Sequence, residues 1–530
     1  MSITILCSID AKNPGGGIVT LLFSSRSFSP TSGAGYDDRI LQLPIFRREI
    51  SIGARLGGEV SQSYDSLKLD NVNGDLDYLR DWGLAGQTAT FLIGLSTDTA
   101  VASFVTLYTA KIEQALFDLV SVEITFRDRL EDLRQPIQTS RYGGTNVLPA
   151  GVDGTDDIKG QPKPKVFGAV SNITPVCVNT DKLIFQATDT SGGIAAGGSG
   201  INVFDKGVQL TQDADYTSQA NMEATARAAG HFSSWPAGGM FRVGTGAAAN
   251  GSITCDISTS ASFSDETVAQ LAQDIVTGPG GISSGDVTAG DVTYLDSVYT
   301  GLRMGVYIKD EGATFIDALD PLFLGISGWY GFDRLGKFRM GRLETPASSV
   351  ANLVVGELST TVLDSDDYDI EDLRFLPTKA PDRGKPVWRV SLNYWKNWTI
   401  QQGDRVATSV TAARRNFLEL EFRTTSPVDN TTTQTNNPLA QEKKIDSLFL
   451  EIADANAEAT RMLGLLDGRQ DFIEVDLEIT PTVISTIDIG KGVTLTVPRF
   501  GYTSGKVMLV TGIVYNPGKN LITLSLWGVS

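Results

Sequence analysis

A chain of 530 residues and 56.8 kDa is too long for one ordinary core, and at ~100–200 residues per unit it divides into several. Its 41% hydrophobic and 20% charged residues exclude intrinsic disorder. A formal charge of −18 argues against a protein that grips nucleic acid, because phosphate neutralisation needs surplus Lys and Arg. It is compatible with an acidic wall past which DNA slides without sticking, and equally with simple solubility.

The opening residues Met1-Ser2-Ile3-Thr4-Ile5-Leu6-Cys7 carry no basic segment ahead of a secretory core, and no apolar run reaches the roughly 18 residues that span a bilayer. Synthesis in the cytoplasm without stable membrane insertion is expected. Cys7, Cys177 and Cys255 lie too far apart for a disulfide framework or a zinc spacing and read as small core residues.

Residues 1–150 read as an N-terminal β-barrel domain. Ile3 and Ile5 alternate, Pro14 to Gly17 make a turn, and Ile18 to Phe23 return as a hairpin strand. Leu67 and Leu69 lead into an Asn-Gly-Asp turn, a helical piece at Leu76 to Leu79 and a strand from Thr88 to Ile93. Phe104 to Ile112 and Val120 to Phe126 alternate again, followed by a brief helix at Arg127 to Leu133. Residues 151–300, rich in Gly, Ser and Thr, read as an α+β insertion domain with short strands near Leu183, Val203 and Ile253. In it Ser264 is placed to cap a helix with Asp265 and Glu266 in the first turn, Val268, Leu271, Ala272 and Ile275 as buried stripe, and Gly278-Pro279-Gly280 as stop.

Residues 301–380 read as a small α+β domain. A helix through Phe315, Leu319, Leu322 and Phe323 must kink or break at Pro321, and a hairpin follows from Gly328 to Phe338 with its turn at Asp333 to Gly336. The acidic run Asp364, Asp366, Asp367, Asp369, Glu371 and Asp372 lacks the fixed ligand spacing of a calcium loop and reads as a solvated or subunit-facing loop. Residues 381–530 read as a C-terminal β-barrel domain. Trp388, Trp395 and Trp398 do not all share one strand face and suit core or interface packing. Apolar residues from Ile445 to Leu466 predict a long helix over 445–466, stopped by Gly468. Val493, Leu495, Val497, Met508, Val510, Ile522, Leu524 and Leu526 alternate around turns at 501–505 and 516–520, which predicts a closing antiparallel unit.

Chemistry-bearing constellations are sparse, and no catalytic, cofactor-binding or metal-binding residues are assigned. His231 is the only histidine, so a two-His metal site is excluded. Gly281-Ile282-Ser283-Ser284-Gly285 satisfies the nucleophile-elbow pattern, but lacks the flanking strand and helix and has its histidine upstream. Three scattered cysteines fall short of the roughly four an iron-sulfur cluster needs. A carboxylate pair of the glycosidase kind has no spacing rule along a chain and stays open.

Four stretches resemble one family. These are Leu69-Asp70-Asn71 with Gly74-Asp75-Leu76-Asp77, the proline-spaced Gly160 to Gly168, the Gly328-Trp329 hairpin, and the closing strands ending in Trp527-Gly528. Together they are similar to the tail-tip (baseplate) hub proteins of long non-contractile-tailed bacteriophages and gene transfer agents. The resemblance implies a mainly β fold with α+β insertions and two β-barrel domains. It also implies a homotrimer whose six barrels adapt a sixfold tail tube to a threefold tip, closing the tube and forming part of the ejection channel. Its partners would be the distal tail protein, the tape-measure protein and tail fibre or tip proteins, with DNA as transient cargo. The expected location is the virion tail tip, after assembly in the host cytoplasm. Relatives of this kind that cleave peptidoglycan do so through an extension beyond such a closing unit, which this chain is expected to lack. Two readings of other classes stand beside it: a depolymerase of host polysaccharide or peptidoglycan, and a receptor-binding protein using Trp395 and Trp398.

Overall fold

Along Ile3–Lys12 the alternate residues Ile5, Cys7, Ile9 and Ala11 are all buried, which commits one face of the strand to a core. The computed structural model describes residues 3–52, 56–189, 193–196, 200–245, 252–355, 367–376 and 384–529. The fold is mainly β with barrel-like sheets. In the first sheet Ile18–Ser24, Ile3–Lys12, Thr88–Leu95, Val105–Phe117, Ser121–Arg127 and Leu67–Asp70 follow one another as hydrogen-bonded neighbours. Asp37–Asp38 pairs with Phe23 and Ser24 at one end of this order, and Ile40–Gln42 pairs with Leu69 and Lys68 at the other. A single short segment thus supplies both edges and closes the sheet into a barrel, leaving no long open edge.

The second barrel is closed as well. Lys506–Asn516, Gly492–Thr496, Asn352–Val354, Asp367–Phe375, Gln470–Glu478 and Leu521–Val529 pair in that order, and the last returns to the first. Leu353, Ile473, Val475, Val493, Leu495 and Leu524 are fully buried and fill its interior. Two of these strands lie ahead of the 380/381 boundary expected from sequence. Part of the acidic run is therefore a strand and not a loop: Ile370 turns inward, and Arg374 on the outer face pairs with Asp372, Glu474 and Asp476. Asp364 and Asp366 lie outside the described residues.

Between Ile40–Gln42 and Leu67–Asp70 the chain leaves the first barrel as the hairpin Phe46–Ile52 and Leu56–Tyr64, and this hairpin joins the second barrel. Residues 46–49 pair with 512–515, and Leu56–Tyr64 pairs in parallel with Gly328–Phe332, which pairs in turn with Phe338–Arg342. The crossing is tight at Gly57, whose φ is 106° and where a Cβ would sit 1.9 Å from the Gly328 carbonyl oxygen. No larger residue fits there. Phe46 stacks on Tyr64 and Tyr515 with centroids 4.6 and 5.9 Å away and meets Tyr108 at 5.1 Å, so one ring touches both barrels.

The insertion after Gly160 is a sandwich. One five-stranded sheet contains Lys165–Ile173, Ile201–Asp205 and Ile253–Ser258, and the other contains Ile184–Gln186, His231–Trp235 and Met240–Val243. They share a core that includes Val166, Val203, Ile257, Phe185, Phe232 and Phe241. The helix expected after Ser264 begins later, as Val268–Thr277 capped by Thr267. Glu266 is drawn out of the first turn into a buried pair with Arg303 at 2.6 Å. Helix Phe315–Leu324 runs through Pro321 and ends three residues on, while the hairpin turn falls at Asp333 to Gly336 as its sequence predicts.

The long helix is shorter than its apolar pattern. It spans Ile452–Leu466; Ile445 and Asp446, predicted as its start, end the strand Gln441–Asp446, which runs parallel to Val387–Tyr394, and 447–451 form the connection. Polar alternation in Gln441-Glu442-Lys443-Lys444 suits a half-exposed strand, and Leu448 and Phe449, read as helical, are buried in the connection.

One ionic cluster ties four remote stretches together. Arg48, 2% exposed, donates to the Phe332 carbonyl at 3.0 Å and to Asp488 at 2.7 Å. Arg339 reaches the other Asp488 oxygen at 3.3 Å and pairs with Asp291 at 2.5 Å. Burial raises the Asp488 pKa, but its two guanidinium neighbours and the Ile489 N–H outweigh this and hold it below the usual range. Arg48→Ala, which leaves Asp488 without its nearer partner, is expected to cost about 3–5 kcal/mol in chemical denaturation. Because the folded carboxyl is depressed, the stability that Asp488 contributes is complete above its unfolded-chain value of about 3.9 and is lost as pH falls through the folded value. Asp488→Asn is therefore expected to flatten the acid limb of the stability-versus-pH curve.

Candidate functional surfaces

Residues that carry chemistry elsewhere are here engaged in structure. His231 holds Asp213 at 2.9 Å on the edge of the sandwich. Ser283 accepts the Gly285 N–H and caps the turn Ser284–Asp286, which connects two helices and follows no strand. Cys7 and Cys255 are buried, and burial pushes both thiols far up; Cys177 is pushed up to about 11. Among the described residues no group of three His, Cys, Asp or Glu side chains is placed to hold a metal ion, and no helix is long and apolar enough to cross a membrane.

The tryptophans that a receptor reading would expose are joints. Trp395 Nε1 donates to Ser171 Oγ at 3.0 Å, and Trp398 packs edge-on against Tyr307 of the sandwich. Between them Asn397, 2% exposed, accepts from Asn172 and donates to the carbonyls of Phe417, Leu418 and Leu420. Nothing in the sequence pattern marks Asn397, since a lone Asn between aromatics has no periodicity.

The acidic turn after Leu69 is likewise structural. Asn71 accepts the Leu76 N–H and donates to Asp77, while Arg39 reaches Asn73 at 3.1 Å and Asp75 at 2.7 Å. The cation in this turn is a guanidinium of the chain itself. Arg39 also donates to the Asp70 carbonyl, so the turn is anchored to the segment that closes the first barrel.

Two surfaces stand out among the described residues. One is a groove of about 710 Å³ between helix Phe315–Leu324 and strand Gln441–Asp446, with apolar patches from Leu56, Pro321, Leu324, Phe422, Ile445 and Leu448. Its carboxylates have partners on this chain: Asp317 caps Thr314, Asp320 accepts from Tyr330, Glu421 meets Lys396, Glu442 meets Arg389 and Asp446 accepts from Asn393. The other surface is the end of the hairpin Val105–Phe117 and Ser121–Arg127. Leu116, Phe117, Leu119 and Val120 are exposed there beside Val72, and Leu119 is 94% exposed. Asp118 accepts the N–H groups of Val120 and Ser121 and the Ser121 hydroxyl, so the turn presents Leu119 in a fixed geometry.

No protein-family profile and no curated protein matches the chain. Among solved structures it is similar to a 43 kDa tail protein of prophage MuSo2 from Shewanella oneidensis, at 13% identity and TM-score 0.39, covering 99% of this chain and 96% of that one. It is similar to a tail protein from Neisseria meningitidis MC58, at 10% identity and TM-score 0.41, covering 100% and 97%. It is also similar to a chain of a native gene transfer agent virion, at 15% identity and TM-score 0.37, covering 76% and 92%.

The joint at Asn397 generates a direct test. Asn397→Ala removes one acceptor of the Asn172 amide and a donor shared by three carbonyls in a buried joint, and is expected to destabilise the protein by about 2–4 kcal/mol. The loss is measurable by denaturation, together with faster proteolysis near residues 396–420.

Proposed function

We propose that the chain is a structural virion protein, the central hub of a non-contractile phage tail tip, and that it works as a trimer without bond-making chemistry of its own. The observation that carries this reading is the pair of closed, filled barrels joined by one hairpin ladder. Filled barrels leave no passage inside a chain, so a duct for DNA forms only where copies surround an axis. Three copies with two barrels each offer six similar walls to a sixfold tube and three insertions to a threefold tip. This matches what the resemblance implies for residues 67–168, 313–343 and 445–528. A net charge of −18 suits a wall that does not retain the phosphate backbone.

In this reading the distal tail protein and the end of the tape-measure protein meet the ring from the tube side, and tail fibre or tip proteins meet it from below. The chain is made in the host cytoplasm and resides in the virion. Quantitative mass spectrometry of purified particles is expected to give three copies per virion relative to the tube protein. Six or more would indicate a tail ring or fibre, and none would overturn the virion reading and reopen a depolymerase role, which release of sugar from host wall or capsule would then detect.

A further inference from the structure

The groove and the hairpin end carry complementary features. Strand Val105–Phe117 pairs with Thr88–Leu95 only as far as Lys111, so on that side residues 113–117 have no partner strand among the described residues. The projecting hairpin end therefore combines an open edge, an apolar turn held rigid by Asp118, and Glu113, an exposed carboxylate with no ion pair among the described residues. Open edges and apolar ends of this kind are covered in a finished protein, because left free they promote aggregation.

The groove supplies a second open edge. The N–H groups of Gln441 and Ser447 donate to Pro386 and Asn393, so by strand alternation those of Glu442, Lys444 and Asp446 point away from Val387–Tyr394. With the groove carboxylates partnered on their own chain, Lys444 is an exposed charge with no ion pair among the described residues. The hairpin end thus carries an unpaired acid and exposed aliphatic side chains, and the groove carries an unpaired base and an apolar recess.

We infer that residues 113–121 of one copy add to the open edge of Gln441–Asp446 in a second copy of this chain, seating Leu119 in the groove. The two halves differ, so the contact is head-to-tail and propagates around an axis instead of stopping at a twofold dimer. Backbone pairing supplies affinity, and the leucine and the Glu113–Lys444 pair fix register. The inference rests on the ring reading above, but names a contact that can fail by itself.

Sedimentation of the full chain tests it. The wild type is expected to form trimers, and Leu119→Asp and Lys444→Pro are each expected to sediment as monomers with unchanged circular dichroism. The proline removes only the outward N–H, and if it prevents folding, Lys444→Glu serves in its place. An equal mixture of the hairpin and groove variants is expected to give dimers, because one competent junction remains between unlike copies. Glu113→Lys weakens assembly, and Lys444→Glu in the same chain restores it. Trimeric variants, or a mixture that stays monomeric beside a trimeric wild type, would overturn this contact and leave the ring reading standing. A wild type that is monomeric at all concentrations would overturn both.

Discussion

Asp488 is the point at which the three parts of the chain are fixed to one another. Its two oxygens accept from Arg48 of the crossing hairpin and from Arg339 of the hairpin following helix Phe315–Leu324, and Arg339 is held in turn by Asp291. Apolar contacts alone would let these elements slide, since burial is non-directional. One guanidinium hydrogen bond to each carboxylate oxygen restricts the arrangement. Charge geometry thus fixes the crossing hairpin and the Gly328–Arg342 hairpin against the connection at Asp488, while the rings of Phe46, Tyr64, Tyr108 and Tyr515 supply buried area where the hairpin meets both barrels.

In this protein the residues that carry chemistry elsewhere are engaged in structure. Its barrels are filled, its lone histidine secures a sheet edge, and its tryptophans lock the sandwich to the last unit. What remains for function is surface: a groove walled by an open strand and a rigid apolar turn. Both are features that a monomer conceals or mutates away and an assembly uses.

Local pattern made much of this legible. The closing strands, the Gly328–Phe338 hairpin and the Ile3–Ser24 hairpin follow from period-two alternation and turn residues, and the structure has them where the alternation lies. Long-range pairing was less visible. Nothing in Phe46–Tyr64 says that it leaves one barrel to brace another, because its alternation would serve either sheet. The acidic strand Asp367–Phe375 hides its role because only Ile370 points firmly inward. The helix predicted to start at Ile445 fails for a related reason: the spacing of Ile445, Leu448, Phe449 and Ile452 fits a helix, but Val387–Tyr394 offers a parallel ladder that the spacing does not encode. The groove rests on that same strand, so its sequence signal was lost with it.

The second barrel has a temporal consequence. Its strand Asn352–Val354 is synthesised long before Leu521–Val529, which pairs with neighbours on both sides and closes the ring. At ~5–20 residues per second of translation, the early strands wait about 10–30 s for the closing one. During that interval the barrel is an open sheet with two unpaired margins. The barrel thus closes only with the final strand.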